Sequence, residues 1–387
     1  MAGPLAGVRV VEVGTHVFVP MAGAVLTEWG AEVVKVEEPR SGDPYRHLAT
    51  AGLHTTFEGH DTFFQSANRS KRSVCLDLTR REGRALLGRL LGQADVYTTS
   101  LRSGALDRLG LDVDSVRRDN PSVLYVRATA FGPRGPDAAL GGYDTTAFWA
   151  RSGMQHLLTP TGSPYPPAPR AAFGDVVGAL AVAGAVSAAL YRRDRTGEPT
   201  VVDASLLGTG LWQVQTDLVD AAIAEERRER PPRAEAANPL TLPYRTADGR
   251  FVQLTMLAPE LRFDRLRQAV GRPDLALSVD ALDELFAERT LAEWRQVLAG
   301  FEGEWAPVQT PEEVLADPQV RANAMVTAAD LGDGVALPLV TTPVQFDEEP
   351  GTARRAPEHG EHTEEVLLEL GLTWDEVVAL KEQEVIP

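Results

Sequence analysis

The sequence predicts an α/β protein built on a doubly wound parallel sheet. Short β-branched runs alternate with helical stretches in the first part of the chain, and the crossovers are long enough to join parallel strands. With 387 residues, 43% of them hydrophobic, the chain can bury a large core and has the length of two or three domain-sized units.

Taken in order, Val8–Val13 reads as the first buried strand, Met21–Trp29 as a helix and Glu32–Val36 as the second strand. A strand at Val74–Leu76, a helix at Glu82–Gln93, a strand at Asp95–Thr98, a helix near Val113–Arg118 and a strand at Val123–Ala128 continue the pattern. The turn after the first strand, Val13-Gly14-Thr15-His16-Val17-Phe18, holds one glycine. A G-x-G-x-x-G turn would let a pyrophosphate approach the backbone there, so the pattern is Rossmann-like without a nicotinamide signature.

After Asp175 runs a long helix of small apolar residues ending near Arg192-Arg193. The charged, proline-terminated stretch Glu225–Pro232 reads as a solvated linker. Beyond it, Tyr244–Leu254 reads as a β-hairpin turning at Asp248-Gly249, followed by a helix from about Arg262 to Val270. Further helices end near Arg321, Val340–Phe346 resembles one more strand, and Thr363–Leu370 and Trp374–Glu382 are helical with Gly371 as the stop.

With 55 acidic against 38 basic residues the net charge is −17, which opposes binding to nucleic acid or to an anionic membrane. An anionic ligand therefore needs locally clustered Arg and Lys. Cys75 is the one cysteine, which excludes an intramolecular disulfide and suggests a reducing compartment. Its apolar setting, Ser73-Val74-Cys75-Leu76, reads as a buried strand. No segment is read as long enough for a membrane span, the start Met1-Ala2-Gly3-Pro4 has no secretory character, and a cytoplasmic protein is expected.

Asp175 follows Ala171-Ala172-Phe173-Gly174 and precedes the apolar helix, where an N-cap would stand. A plain helix cap is one reading. The other is chemical: the positive helix end would hold the carboxylate ionised, and neighbouring N–H groups could receive an oxyanion.

Several strings together resemble the class III CoA-transferases. They are Ala67-Asn68-Arg69-Ser70-Lys71-Arg72-Ser73-Val74 with Leu76-Asp77-Leu78, then Gly104-Ala105-Leu106-Asp107-Arg108-Leu109-Gly110, Gly174-Asp175, Arg195-Thr196-Gly197, Ala306–Val320 and Gly360–Leu367. The resemblance spans essentially the whole chain in one order. It implies a Rossmann-like large domain from both chain ends (1–205 and 330–387), a linker (206–234), a smaller inserted α+β domain with its return (235–329), and an interlocked homodimer.

The resemblance also implies that Asp175 attacks an acyl-CoA thioester, with CoA as substrate and neither a permanently bound cofactor nor a metal. It assigns Lys71, Arg72, Arg102 and Arg108 to the nucleotide and pyrophosphate end of CoA. Arg40 and Arg46, flanking Ser41-Gly42-Asp43-Pro44 after the second strand, are added from their place at the carboxyl end of the sheet. A solvated surface charge is the alternative for each.

The expected substrate pocket takes His16, Val17 and Phe18 from the first turn and Tyr143, Asp144 and Trp149 from Tyr143–Met154. That last segment resembles the branch handling 2-hydroxy acids or unsaturated and aromatic acyl-CoA, although Phe148 and Trp149 also suit a helix core. Ser100-Leu101 stands where many relatives carry Asn-Phe, Phe18 replaces a polar Gln, and no glycine-rich lid is evident around Leu257–Glu260. These departures argue against a tiny dicarboxylate and for a medium-sized or hydrophobic acceptor, 2-hydroxy acids included. The α-methylacyl-CoA racemase branch is the alternative. It uses a His in a Gly-His-Asp motif that reads Gly142-Tyr143-Asp144 here, and phenols, with an ordinary pKa of about 10, are poor bases at neutral pH. The nearest other histidine, His156, reads as an ordinary surface residue.

Overall fold

The computed structural model describes residues 3–48, 55–224, 232–332 and 334–387. The chain divides into a large unit, Met1–Ala222 with Ala322–Pro387, and a small unit, Ile223–Arg321.

The large unit centres on six parallel strands: β1 (Arg9–Val13), β2 (Glu32–Glu37), β3 (Arg72–Cys75), β4 (Val96–Thr99), β5 (Leu124–Thr129) and β6 (Val201–Ser205). Their order across the sheet is β3-β2-β1-β4-β5-β6. The central strands are almost continuously buried because helices cover both faces. One face packs α1 (Phe18–Glu28) and the long α6 (Phe173–Thr196). The other packs α3 (Arg81–Leu91) and α5 (Val113–Asp119), with the short α2 (Thr62–Asn68) and α4 (Ser103–Leu109) completing this part of the chain.

The chain reverses direction across the sheet between β1 and β4, and in doubly wound sheets ligands dock at the carboxyl ends of the strands beside that reversal. The C-terminal segment is pinned to the same unit. The Ala356 N–H donates to Gln65 Oε1 (2.8 Å), the Cys75 N–H to Thr363 Oγ1 (3.0 Å) and the Asp77 N–H to the Val385 carbonyl (2.9 Å).

Three expectations are corrected. Residues 206–223, read as linker, form α7 (Leu206–Gln213) and α8 (Gln215–Ile223), the first capped by the Ser205 hydroxyl. The charged stretch from Glu225 lies outside the described residues as far as Pro231. Val340–Phe346 is not a strand: Val340 ends one, Val335–Val340, that pairs antiparallel with Val326–Gly332. Pro338 in its middle hides it, since proline is scarce within sheets except at edges. Finally, α6 has the length and apolarity of a membrane span, contrary to the reading of the sequence. Half of its apolar window is buried in this unit, where its small residues let it lie close along α1.

In the small unit, β7 (Pro243–Arg245), β8 (Phe251–Leu254) and β9 (Trp305–Pro307) form an antiparallel sheet. Gly249, at φ +76°, closes the expected hairpin. The helices Pro259–Val270, Val279–Ala287 and Leu291–Val297 cover a core around Tyr244, Phe286 and Trp294.

Candidate active site

A cavity of about 710 Å³ opens at the carboxyl ends of β1, β4 and β5, beside the reversal of strand order. The turn after β1 contributes Thr15, His16 and Phe18. The loop after β4 and α4 contribute Ser100 to Ala105 and Arg108, and Arg127 to Ala130 come from β5 and its end. Leu140 to Thr145, with Tyr45, Ala172 and Asp175, form much of the remaining wall. A smaller cleft of about 310 Å³ beside His156 is lined by no acidic or basic residue other than that histidine.

Asp175 lies in the first turn of α6, not at its cap. Ala172 precedes the helix with φ +58°, and the capping oxygen comes from Asp144, whose Oδ1 accepts the N–H groups of Gly174 (2.7 Å) and Asp175 (3.2 Å). Gly174 is required here, because a Cβ would fall 2.2 Å from the Phe148 ring and 2.5 Å from Asp144 Oδ1. A Cβ at Gly178 would meet Phe18 at 2.6 Å, so the phenyl ring that lines the cavity rests directly on α6.

The electrostatics follow from this exchange of roles. The expectation that the helix dipole holds Asp175 ionised is corrected: Asp144 takes the two amides, and Asp175 is left desolvated. Burial, reinforced by the negative Asp144, pushes its carboxyl up to about 7, and only 8% of the residue is exposed. Asp144 is itself raised by burial, with the amides of Gly174 and Asp175 opposing the rise.

Of the expected cations, the structure brings Arg102 and Arg108 to the cavity, both exposed. Gly141 allows the close approach of Arg102, since a Cβ there would sit 2.3 Å from a guanidinium nitrogen. The other four are elsewhere. Lys71 is enclosed: Nζ donates to both Glu12 carboxylate oxygens (2.9 Å each), the Pro20 carbonyl (2.7 Å) and Asn68 Oδ1 (3.0 Å), leaving no path to a phosphate. Arg72 is held by Glu32, Glu365 and Glu369 at the start of β3, away from the ligand edge. Arg46 forms a two-pronged pair with Glu37 (2.8 and 2.7 Å) and lies over the Phe64 ring. Arg40 is exposed and outside the cavity wall.

Of the expected pocket residues, His16, Phe18, Tyr143 and Asp144 line the cavity. Val17 and Trp149 do not. Val17 is fully buried at the start of α1, and Trp149 packs between Phe148 and Phe173, the helix-core alternative.

Sequence reasoning missed two residues. Tyr45 lines the cavity edge-on to His16, with ring centroids 5.4 Å apart. Burial and the nearby Asp175 and Asp43 charges push its phenol up to about 12. Its signal was its place in the loop after β2, beside the arginines chosen instead. Arg127 reaches the wall from β5 while paired with Asp203 (2.8 Å). Cys75 is buried, and its thiol is pushed up to about 12, chiefly by burial.

The family model for CoA-transferase family III matches residues 5–363. The cinnamoyl-CoA:phenyllactate CoA-transferase of Clostridium sporogenes is 30% identical over 97% of this chain and 95% of its own length. The human alpha-methylacyl-CoA racemase is also 30% identical, over 99% and 97%. Among solved structures, a CAIB/BAIF family protein from Brucella suis superposes with a TM-score of 0.81 at 29% identity, over 96% of this chain and 100% of that one. With the match covering most of its length, this chain belongs to CoA-transferase family III.

Proposed function

We propose that the enzyme moves CoA between carboxylic acids through an aspartyl-CoA thioester on Asp175. The observation that carries this reading is a desolvated carboxylate, raised to about 7, in the wall of a cavity that also bears Arg102 and Arg108. A carboxylate that has lost its hydration is a stronger nucleophile, and arginines suit a ligand with several phosphate charges.

The steps balance without metal or external energy. An Asp175 oxygen bonds to the thioester carbon and CoA thiolate leaves, giving a mixed anhydride. The thiolate attacks the aspartyl carbonyl, the donor acid departs, and aspartyl-CoA remains. An acceptor carboxylate then repeats both exchanges in reverse. Each step trades one acyl bond for another, so the sequence runs near balance.

Phe18, Tyr45, Leu140 and Tyr143 give part of the cavity wall an apolar, largely aromatic character, which favours a medium-sized or hydrophobic acceptor. The relative named for phenyllactate, a 2-hydroxy acid with an aromatic ring, supports the same class. We place the enzyme in the cytoplasm as a homodimer. Trp212 and Val219, exposed at 69% and 58% on α7 and α8, offer apolar surface that a second copy would cover.

The test is to incubate the protein with an acyl-CoA donor, digest it and weigh the peptide containing Asp175. A CoA adduct there, discharged by added acid and trapped by borohydride, is expected. Normal transfer by Asp175→Ala would end the assignment. Uptake of deuterium at the α-carbon of a 2-methylacyl-CoA in heavy water, with no acceptor acid, would favour racemase chemistry instead.

A further inference from the structure

Each acyl exchange turns a carbonyl oxygen into an oxyanion, which needs a donor inside the cavity. The start of α6 has none to spare. The Gly174 and Asp175 amides go to Asp144, and the Val176 amide goes to the Ala172 carbonyl at 3.0 Å.

The turn after β1 offers a different wall. His16 has φ +68°, a left-handed backbone that residues with a Cβ seldom adopt, and such outliers persist only where the surroundings over-determine them. The surroundings here are buried charge. The His16 N–H donates to Asp43 Oδ1 (3.2 Å). Asp43 Oδ2 pairs with Lys35 Nζ at 2.8 Å, and the same ammonium donates to the Gly14 carbonyl at 2.8 Å. Both side chains of that pair are fully enclosed. The turn is thus clamped at both ends of Thr15-His16.

The clamp leaves the imidazole in the cavity wall together with Asp175, edge-on to Tyr45 and Tyr143. Nδ1 lies 2.9 Å from Thr15 Oγ1, and Nε2 has no hydrogen-bond partner among the described residues. Burial lowers the His16 pKa more than Asp43 raises it, which favours the neutral ring. A neutral ring that accepts the Thr15 hydroxyl at Nδ1 carries its hydrogen on Nε2.

We propose that His16 is a catalytic residue that donates its Nε2–H to the oxyanion of the tetrahedral intermediates, with Lys35 and Asp43 as its positioning residues. The inference rests on the CoA-transfer reading. As an Asp175 oxygen bonds to the acyl carbon, the carbonyl π pair moves onto oxygen and the Nε2–H bond to it tightens. The pair returns as the C–S bond breaks and CoA thiolate leaves. No proton leaves the ring.

Glycine at position 16 accepts the positive φ and leaves a space shaped like imidazole. In the full-length protein, His16→Gly should lose roughly 100- to 1,000-fold in kcat, the usual cost of one oxyanion donor, with KM for the CoA donor within a few-fold. Added imidazole should restore part of kcat. 1-Methylimidazole, which has no N–H when neutral, should not. His16→Gln, which keeps an N–H at similar reach, should retain more activity than His16→Gly.

A kcat for His16→Gly within threefold of wild type overturns the proposal. So does equal rescue by both imidazoles, or equal loss in both variants without rescue. Wild-type protein that forms no CoA adduct on Asp175 refutes the CoA-transfer reading itself, whereas an intact adduct with an indifferent His16 refutes only the donor.

Discussion

Replacing Asp175 by Asn should stabilise the protein at alkaline pH while abolishing transfer. Asp175 keeps its proton in the folded chain up to about pH 7, whereas in the unfolded chain it titrates at the ordinary 3.8. Between those limits the folded state binds more protons, so stability falls as pH rises. At about 1.36 kcal/mol per tenfold, the whole interval is worth roughly 4 kcal/mol, and the two decades from pH 5 to pH 7 about 2.7. Asparagine matches the protonated acid in shape and does not titrate. Urea unfolding of both proteins, at one protein concentration and at pH 5 and pH 8, reads the difference as a shift in midpoint. The Asn variant should gain about 2–3 kcal/mol relative to wild type on going from pH 5 to pH 8. A relative stability equal at both pH values would mean that the carboxylate is hydrated, and the account of its reactivity would fall.

Three other outcomes are expected. Asp144→Asn keeps an oxygen for the helix cap but removes the like charge, so the acid limb of the kcat/KM profile should move to lower pH, and an unmoved limb would disconnect the two carboxylates. Arg102→Ala and Arg108→Ala should each raise KM for the CoA donor, roughly tenfold for a lost charge-assisted bond, and weaken its salt dependence, with kcat much less affected. Lys71→Met leaves the buried Glu12 carboxylate with the Lys35 ammonium (3.3 Å) as its remaining cation and should cost roughly 3 kcal/mol in urea unfolding, the low end for breaking a buried pair. Its KM for CoA, measured below the unfolding range, should match wild type; a large rise would return Lys71 to the ligand site.

Five of the six sheet strands could be read from the chain because burial on both faces writes itself as continuous β-branched runs, as in Val8–Val13 and Val123–Ala128, whereas the edge strand Val201–Ser205, only partly buried, was not read. Asp175 was legible because Gly174 and the apolar helix behind it are local features. Its cap was not, since Asp144 lies 31 residues earlier and reaches the helix only through the fold.

The adjacent pair Lys71-Arg72 marks the boundary. In sequence, both are basic residues in one motif, and both suit a phosphate. Successive side chains entering a strand point to opposite sides, so Lys71 turns inward onto Glu12 of β1 while Arg72 turns out toward Glu32 and Glu369. The chain by itself determined where most strands and helices occur and marked Asp175 as a candidate, because those features depend on neighbours a few positions away. Which cations face the ligand, and which carboxylate holds its proton, was decided by tertiary structure, because Coulomb and desolvation energies depend on distance in space and on exclusion of water.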